Sequence, residues 1–215
     1  MPTVYEGKMD GSNSVRYIQH SLIRFYLDEA YKSATKAKKE CQKGVLQGSS
    51  IIGIMFSVMA VEAFINEISE DLIEPERLNE FMFLRKTFKK VKGESSIISK
   101  LKIIFEIKFS QPLKKELVDD VKLSVEFRNN LVHYKLSELG EIHVMPPIKT
   151  VIAEDGSAMS CIDFTVKPER IEPPFISKIN GKTAASCFNS VLATINYWGH
   201  LMGVNDNVPG LKKIT

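Results

Sequence analysis

Apolar residues recur every three or four positions through most of the first 136 residues, the spacing of helices that each bury one stripe. A first helix over 14–43 carries Ile18, Leu22, Phe25, Tyr26, Ala30, Ala34, Ala37 and Cys41 on that period. Residues 1–13 lack it and read as a flexible N-terminus. Gly44 and Gly48 bracket a turn, and Ser49 or Ser50 can cap a second helix that runs to about 73. Its stretch 51–65 is apolar nearly all round, as expected of a central helix. Pro75 fits the next boundary. A basic third helix is expected over 78–91, with Phe81, Leu84 and Phe88, broken at Gly93. A fourth starts at Ser95 or Ser96 and carries Ile97, Ile98, Leu101, Ile104, Phe105 and Ile107. Ser110-Gln111-Pro112 reads as a cap with proline in the first turn of a fifth helix. That helix carries Leu113, Leu117, Val121, Phe127 and Leu131 and ends near 134–136.

After Gly140 the period changes. Segments 141–145, 150–153 and 159–166 are short and β-branched, and Asp155-Gly156 is a turn signal between the last two. A hairpin or three-stranded ribbon follows, then an extended connection marked by Pro168, Pro173 and Pro174. A last helix over 182–201 carries Ala184, Phe188, Val191, Leu192, Ile195 and Trp198, a stripe that should return to the bundle. The fold class is therefore mainly α: an up-and-down helical bundle with a small β appendage and a closing C-terminal helix. The segments are 1–13, a flexible start; 14–138, the bundle; 139–180, the β appendage and proline-rich connection; 181–203, the closing helix; and 204–215, a tail.

The chain has 215 residues, 44% hydrophobic and 26% charged, an ordinary globular profile. Its start has no apolar segment of the kind a secretory signal needs. Cys41, Cys161 and Cys187 are odd in number and far apart, as in a cytoplasmic protein with reduced thiols. The apolar run 51–65 falls short of the roughly 20 residues of a membrane span and contains Glu62, so a buried helix is expected and no membrane partner. The net charge of +3 is unevenly spread. Between 85 and 115 stand ten Lys or Arg and two acids, a segment of +8 against −5 for the rest. Such a segment is either the solvated face of amphipathic helices or a phosphate-attracting surface, with Lys86, Lys89 and Lys90 as the RNA-binding candidates.

The chemistry concentrates in Arg128-Asn129-Asn130-Leu131-Val132-His133. Arginine stabilises anionic phosphate, and histidine moves protons near neutral pH. RNA carries its own nucleophile, the 2′-hydroxyl. Cleavage asks for that oxygen to be deprotonated, the leaving 5′-oxygen protonated, and the phosphorane charge stabilised. His133 can serve as base or acid, Arg128 can hold the phosphoryl oxygens, and Asn129 or Asn130 can orient either. Asn129 and His133, four apart, would share a helix face. Arg128 and His133, five apart, lie about 140° apart round a helix, so a second subunit is one way to complete the site. Glu62 in its apolar helix either faces water or pairs with Arg128 or the fifth helix, with Asn66 one turn on. The bland reading is that Arg and His near a helix C-terminus simply complement its dipole. His20, His143 and His200 have no metal-ligand spacing, and phosphate-binding and hydrolase-elbow motifs are lacking, so neither metal nor cofactor is expected.

Residues 58–67, VMAVEAFINE, and 126–134, EFRNNLVHY, resemble the signatures of the HEPN superfamily. The resemblance spans roughly 15–136, with Arg128, Asn129 and His133 on its Arg–polar–His motif. It implies a helical bundle, a homodimer with two such motifs round one cleft, and a metal-independent endoribonuclease in toxin or defence systems, leaving a 2′,3′-cyclic phosphate. Toxin relatives imply an antitoxin or a nucleotidyltransferase partner, which modifies a tyrosine two residues after the His. Here Tyr134 follows His133 directly and position 135 is Lys. The alternative is a non-catalytic dimer binding a protein, RNA or nucleotide through the same cleft. A third reading is an interaction module built on the β ribbon.

Overall fold

The computed structural model describes residues 3–10, 13–19, 21–40, 47–134, 142–171, 175–204, 208 and 210–215. The chain divides into two compact units. The first comprises Met1–Gln42, Leu46–His133 and Ile179–Thr215, the second Lys43–Val45 and Tyr134–Lys178. Among the described residues the chain is mainly helical.

The first unit contains strands β1 (Thr3–Asp10) and β2 (Asn13–Gln19) and helices α1 (Leu22–Lys39), α2 (Gly48–Leu72), α3 (Pro75–Met82), α4 (Ser96–Phe109), α5 (Lys115–Val132) and α6 (Gly181–Leu201). Helix α2 is the centre, packed by α1, α4, α5 and α6. Its 25 residues are apolar and long enough to cross a membrane, yet 56% of its most apolar window is covered inside the structure. Two buried hydroxyls are satisfied within the helix: Ser57 donates to the Gly53 carbonyl at 2.7 Å and Ser69 to that of Asn66 at 2.9 Å.

Small residues set how closely the helices approach. Helix α1 buries Leu27, Ala30, Ala34 and Ala37 at three- and four-residue spacing. Gly53 of α2 meets this stripe and α6 together; a Cβ there would lie 3.2 Å from both Ala184 Cβ and Ala34 N. At the other end an aromatic cluster fills the space. Trp198 of α6 stands edge-on to Phe64, Phe105 and Phe109, with centroids 5.5, 4.9 and 4.7 Å away. Buried Ser124 of α5 and Ser190 of α6 share a hydrogen bond of 2.9 Å. The closing helix therefore returns to the bundle as its stripe foretells. Its N-cap Asn180 accepts from the Lys182 and Thr183 amides. The last residues are strapped to it: Asn189 donates to the Ile214 carbonyl at 3.0 Å and accepts from its amide at 2.8 Å.

Several boundaries differ from the sequence reading. Residues 3–10 and 13–19 pair as antiparallel strands rather than a flexible start and a helix from 14, so Ile18 lies on β2. Asp10 pairs with Asn13 around Gly11-Ser12, the same Asp-Gly signal as at 155–156, and Val15, Tyr17 and Ile18 favour strand. Helix α3 starts at Pro75, a position suited to a residue without an amide hydrogen, and stops at Met82. The amides of Arg85 and Leu84 return to the Glu80 and Phe81 carbonyls at 2.8 and 3.1 Å. This is a Schellman ending with Leu84, φ 49°, where glycine is usual. Buried Phe81 and Phe88, edge-on at 5.6 Å, hold it. Ser95 caps α4 as expected, accepting from the Ile98 amide. Ser110 ends α4 in the left-handed conformation, and Pro112 lies in the connection rather than in the first turn of α5.

The second unit contains β3 (Ile142–Val144), β4 (Ile148–Ile152), β5 (Ala158–Ile162) and β6 (Glu169–Ile171), then a short 3-10 turn. The hairpin β4–β5 turns at Asp155-Gly156 as read. The Asp155 carboxylate accepts the Ser157 amide and hydroxyl, which holds its pKa below the usual carboxylate range, and Gly156 has φ +82°. Strand β3 pairs with β6, which the sequence reading had placed in the extended connection. The appendage is thus two two-stranded ladders.

Gly181→Ala is the sharpest test of the α1–α6 approach. The added methyl would lie 2.5 Å from the Ala37 carbonyl oxygen, against backbone that cannot step aside. A loss of about 2–3 kcal/mol, or a melting temperature lower by about 4–12 °C, is expected in a thermal melt.

Candidate active site

Glu62 and Arg128 continue the core-facing stripes of their helices to the rim of the bundle. Arg128 lies four residues beyond buried Ser124 and three beyond Val125, so it extends the inward face of α5. Glu62 lies four residues beyond buried Val58 on α2. The packing of α2 against α5 brings the two together. Arg128 Nη2 donates to Glu62 Oε1 at 2.8 Å, with the side chains 24% and 34% exposed. Arg128 Nη1 donates to Asn129 Oδ1 at 3.0 Å. Of the two readings of Glu62, pairing is the one found.

The remaining candidates separate. Asn66 is exposed, and it is Glu62 that meets α5. His133 is the C-cap of α5 with φ −114° and ψ 27°, outside the helical run and exposed. Its amide donates to the Asn129 carbonyl at 2.9 Å, while the Asn129 side chain faces Arg128. His133 thus keeps the helical bond to Asn129 through its amide and stands one residue beyond the last residue of α5. Asn130 is exposed. Tyr134 is 46% exposed and begins the second unit. Lys86, Lys89 and Lys90 are all exposed, and Lys86 pairs with Glu80. Other basic residues of this segment have local partners: Lys102 pairs with Glu94, Arg85 lies over Phe83 at 5.1 Å, and Lys114 over Tyr197 at 4.5 Å.

The sequence reading missed Lys100. It projects from α4, half-buried, with Nζ 5.9 Å from the centre of the Phe81 ring. Burial lowers its pKa, and the negative charge of Glu62 opposes that shift. It is one of two lysines, with Lys102, in the largely apolar run SIISKLKIIF. Arg128, Glu62 and Lys100 thus come from three mutually packed helices. Described clefts include one of 310 Å³ lined by Lys38, Lys182, Asn189 and Lys213, one of 480 Å³ lined by Tyr31, Thr35 and Lys39, and one of 420 Å³ lined by Phe88, Lys89 and Ile103. Of the catalytic candidates, Arg128 and Asn129 are half-buried and His133 is exposed.

Among the other chemistry-bearing residues, Cys187 is buried, and burial pushes its thiol up to about 11. Cys161 is half-buried and also free. Cys41 and His20 lie outside the described residues. His200 is exposed in the last turn of α6.

Comparison of the chain with family models, curated proteins and solved structures returned no match.

The Glu62–Arg128 pair can be measured directly. Each single replacement by alanine leaves a half-buried charge unsatisfied, and solvent reaching both side chains moderates the cost to about 1–2 kcal/mol. The double variant Glu62→Ala/Arg128→Ala should lose less than the sum of the two. A coupling energy near zero in that cycle would show that the contact contributes nothing.

Proposed function

We propose that the chain is a metal-independent endoribonuclease of the HEPN type, cytoplasmic and acting in toxin or defence systems. One observation carries the reading: Glu62, within the helix-two segment VMAVEAFINE, and Arg128 of the Arg–polar–His motif form an ion pair at 2.8 Å. A paired arginine is held in one orientation before substrate arrives. Two of its five N–H donors go to Glu62 and Asn129, and the remaining donors suit phosphoryl oxygens. His133, exposed beside the end of α5, transfers the proton. The substrate's 2′-hydroxyl attacks the adjacent phosphorus, the 5′-oxygen leaves with a proton, and the product is a 2′,3′-cyclic phosphate. Lys89 and Lys90 hold the RNA backbone rather than cleave it.

Cleavage of total RNA by wild type, His133→Ala and Arg128→Ala is the deciding assay. Each substitution should reduce the rate by at least about a hundredfold without lowering the melting temperature by more than the cost of the lost ion pair. Activity should persist in EDTA, and a 2′-deoxy substrate should resist. Loss in EDTA with rescue by magnesium would overturn the mechanism. Absence of cleavage across a broad RNA panel would favour the non-catalytic binding module.

The site as proposed is shared in a homodimer, since the two proton transfers want two acid–base groups and each α5 end offers one imidazole. The two-fold interface would be isologous. A mixed dimer of wild type and His133→Ala carries one imidazole, so excess His133→Ala chain should suppress wild-type cleavage beyond simple dilution. Activity that falls only in proportion to the wild-type fraction would show that each chain acts alone.

A further inference from the structure

We infer that the cleft between residues 87–91 and α4 is a docking site for an acidic segment of a partner protein, which seats an apolar side chain in it. The inference goes beyond the proposed nuclease and does not depend on it.

Helix α4 is apolar on more sides than the bundle covers. It buries Ile98, Leu101, Ile104 and Phe105 where it packs on α2 and α5. Ser99, Ile103 and Ile107, each four residues after the last, form a second stripe on the opposite face. Segment 87–91 lies along that stripe. The Val91 amide donates to the Ser99 hydroxyl at 3.4 Å, and buried Phe88 anchors the segment on Phe81. The two walls enclose a cleft of 420 Å³ with Phe88, Val91, Ile103 and Ile107 in its lining. Val91 is 51% and Ile107 43% exposed, so the apolar wall continues to the mouth. A helix with apolar residues all round is ordinarily covered all round, and this face of α4 is left open among the described residues.

Charge at the rim selects the partner. Lys89 and Lys102 line the cleft, and Lys90 and Lys92 adjoin it in sequence. Lys102 is paired with Glu94, and Glu106 is the acid of the lining. Four lysines thus stand against two acids, and among the described residues Lys89, Lys90 and Lys92 make no ion pair. Carboxylates of a partner segment supply the missing counter-charge. RNA would satisfy these lysines but not the floor between them. A base stacks on an open aromatic face, and the one aromatic ring here is closed off. The Arg77 guanidinium lies over the Phe88 ring at 4.9 Å, and Phe81 meets it edge-on at 5.6 Å. The rest of the apolar lining is aliphatic, which suits a peptide side chain anchored in a pocket with a polar rim. Lys89 and Lys90 are shared with the proposed RNA contact, so the apolar floor is what tells the two ligands apart.

The probe is a library of displayed random peptides selected on the full chain. Enriched sequences should carry Leu, Ile or Phe among Asp and Glu. A synthetic peptide of enriched sequence should bind about tenfold more weakly to Ile107→Ser and to Val91→Ser, the loss of one anchoring apolar contact. Lys89→Glu should weaken it at least as much, because like charges then meet at the rim. All three positions are exposed, so the variants should melt as wild type does. A 2′-O-methyl oligoribonucleotide, which resists cleavage, is the control, and the two serine variants should leave its affinity unchanged. Enrichment of peptides without that pattern, or peptide affinity indifferent to Ile107→Ser and Val91→Ser, would overturn the inference. So would an oligoribonucleotide that loses affinity in those two variants, since the cleft would then be an RNA site.

Discussion

A helix that is apolar on almost every side cannot rest against water, and α2 imposes that constraint on everything around it. Its stretch 51–65 needs cover on most sides, and α1, α4, α5 and α6 supply it, while Asn66, Glu70 and Asp71 towards its end are exposed. The cover is close where residues are small, at Ala34, Gly53 and Ala184, and bulky where they are aromatic, at Phe64, Phe105 and Trp198. Fixing both ends in this way sets the spacing of α2 against α1, α4 and α6, and the Ser124–Ser190 hydrogen bond ties α5 to α6. Interiors packed to crystal-like density do not deform continuously.

The candidate site inherits its precision from that packing. Glu62 is the one acid in the otherwise apolar middle of α2, and Arg128 follows directly on the buried stripe of α5. Neither depends on a loop for its position. His133 does differ: it stands where α5 has already ended, so its imidazole is held less firmly than the guanidinium. An arginine braced by an acid beside a solvent-facing histidine gives one group that must be rigid and one that must exchange protons with substrate and water. That division of labour suits acid–base cleavage of a phosphodiester.

Much of this was legible in the residues. The periods of α1, α2, α4, α5 and α6 located each helix, because a buried stripe leaves a direct record in sequence. The anomaly of Glu62 pointed to a partner on α5, because a carboxylate in an apolar helix needs one. The failures share a cause as well. The β1–β2 hairpin was missed although Asp10-Gly11 carried the same turn signal that was used at Asp155-Gly156. Its apolar residues alternate in a stretch short enough to be absorbed into the helical period that follows. The early end of α3 depends on Leu84 in a conformation rare for leucine, which no local rule favours and which the Phe81–Phe88 contact enforces. Lys100 escaped notice because a lysine in an amphipathic helix ordinarily faces solvent; only the packing of three helices shows that this one does not.

The order in which the chain is made gives the closing helix a further significance. Helix α2 ends at Leu72, but α6, one of its principal covers, begins at Gly181, more than a hundred residues later. At about 5–20 residues per second, a ribosome leaves that apolar helix incompletely covered for roughly 5–20 seconds. During that interval its length and hydropathy are those of a membrane span, and the alanine stripe of α1 is its nearest shelter. The α1–α2 pair, adjacent in sequence and extensively packed, is the cover α2 can have before α6 is made, and α6 adds the far side of the Ala34–Gly53–Ala184 seam.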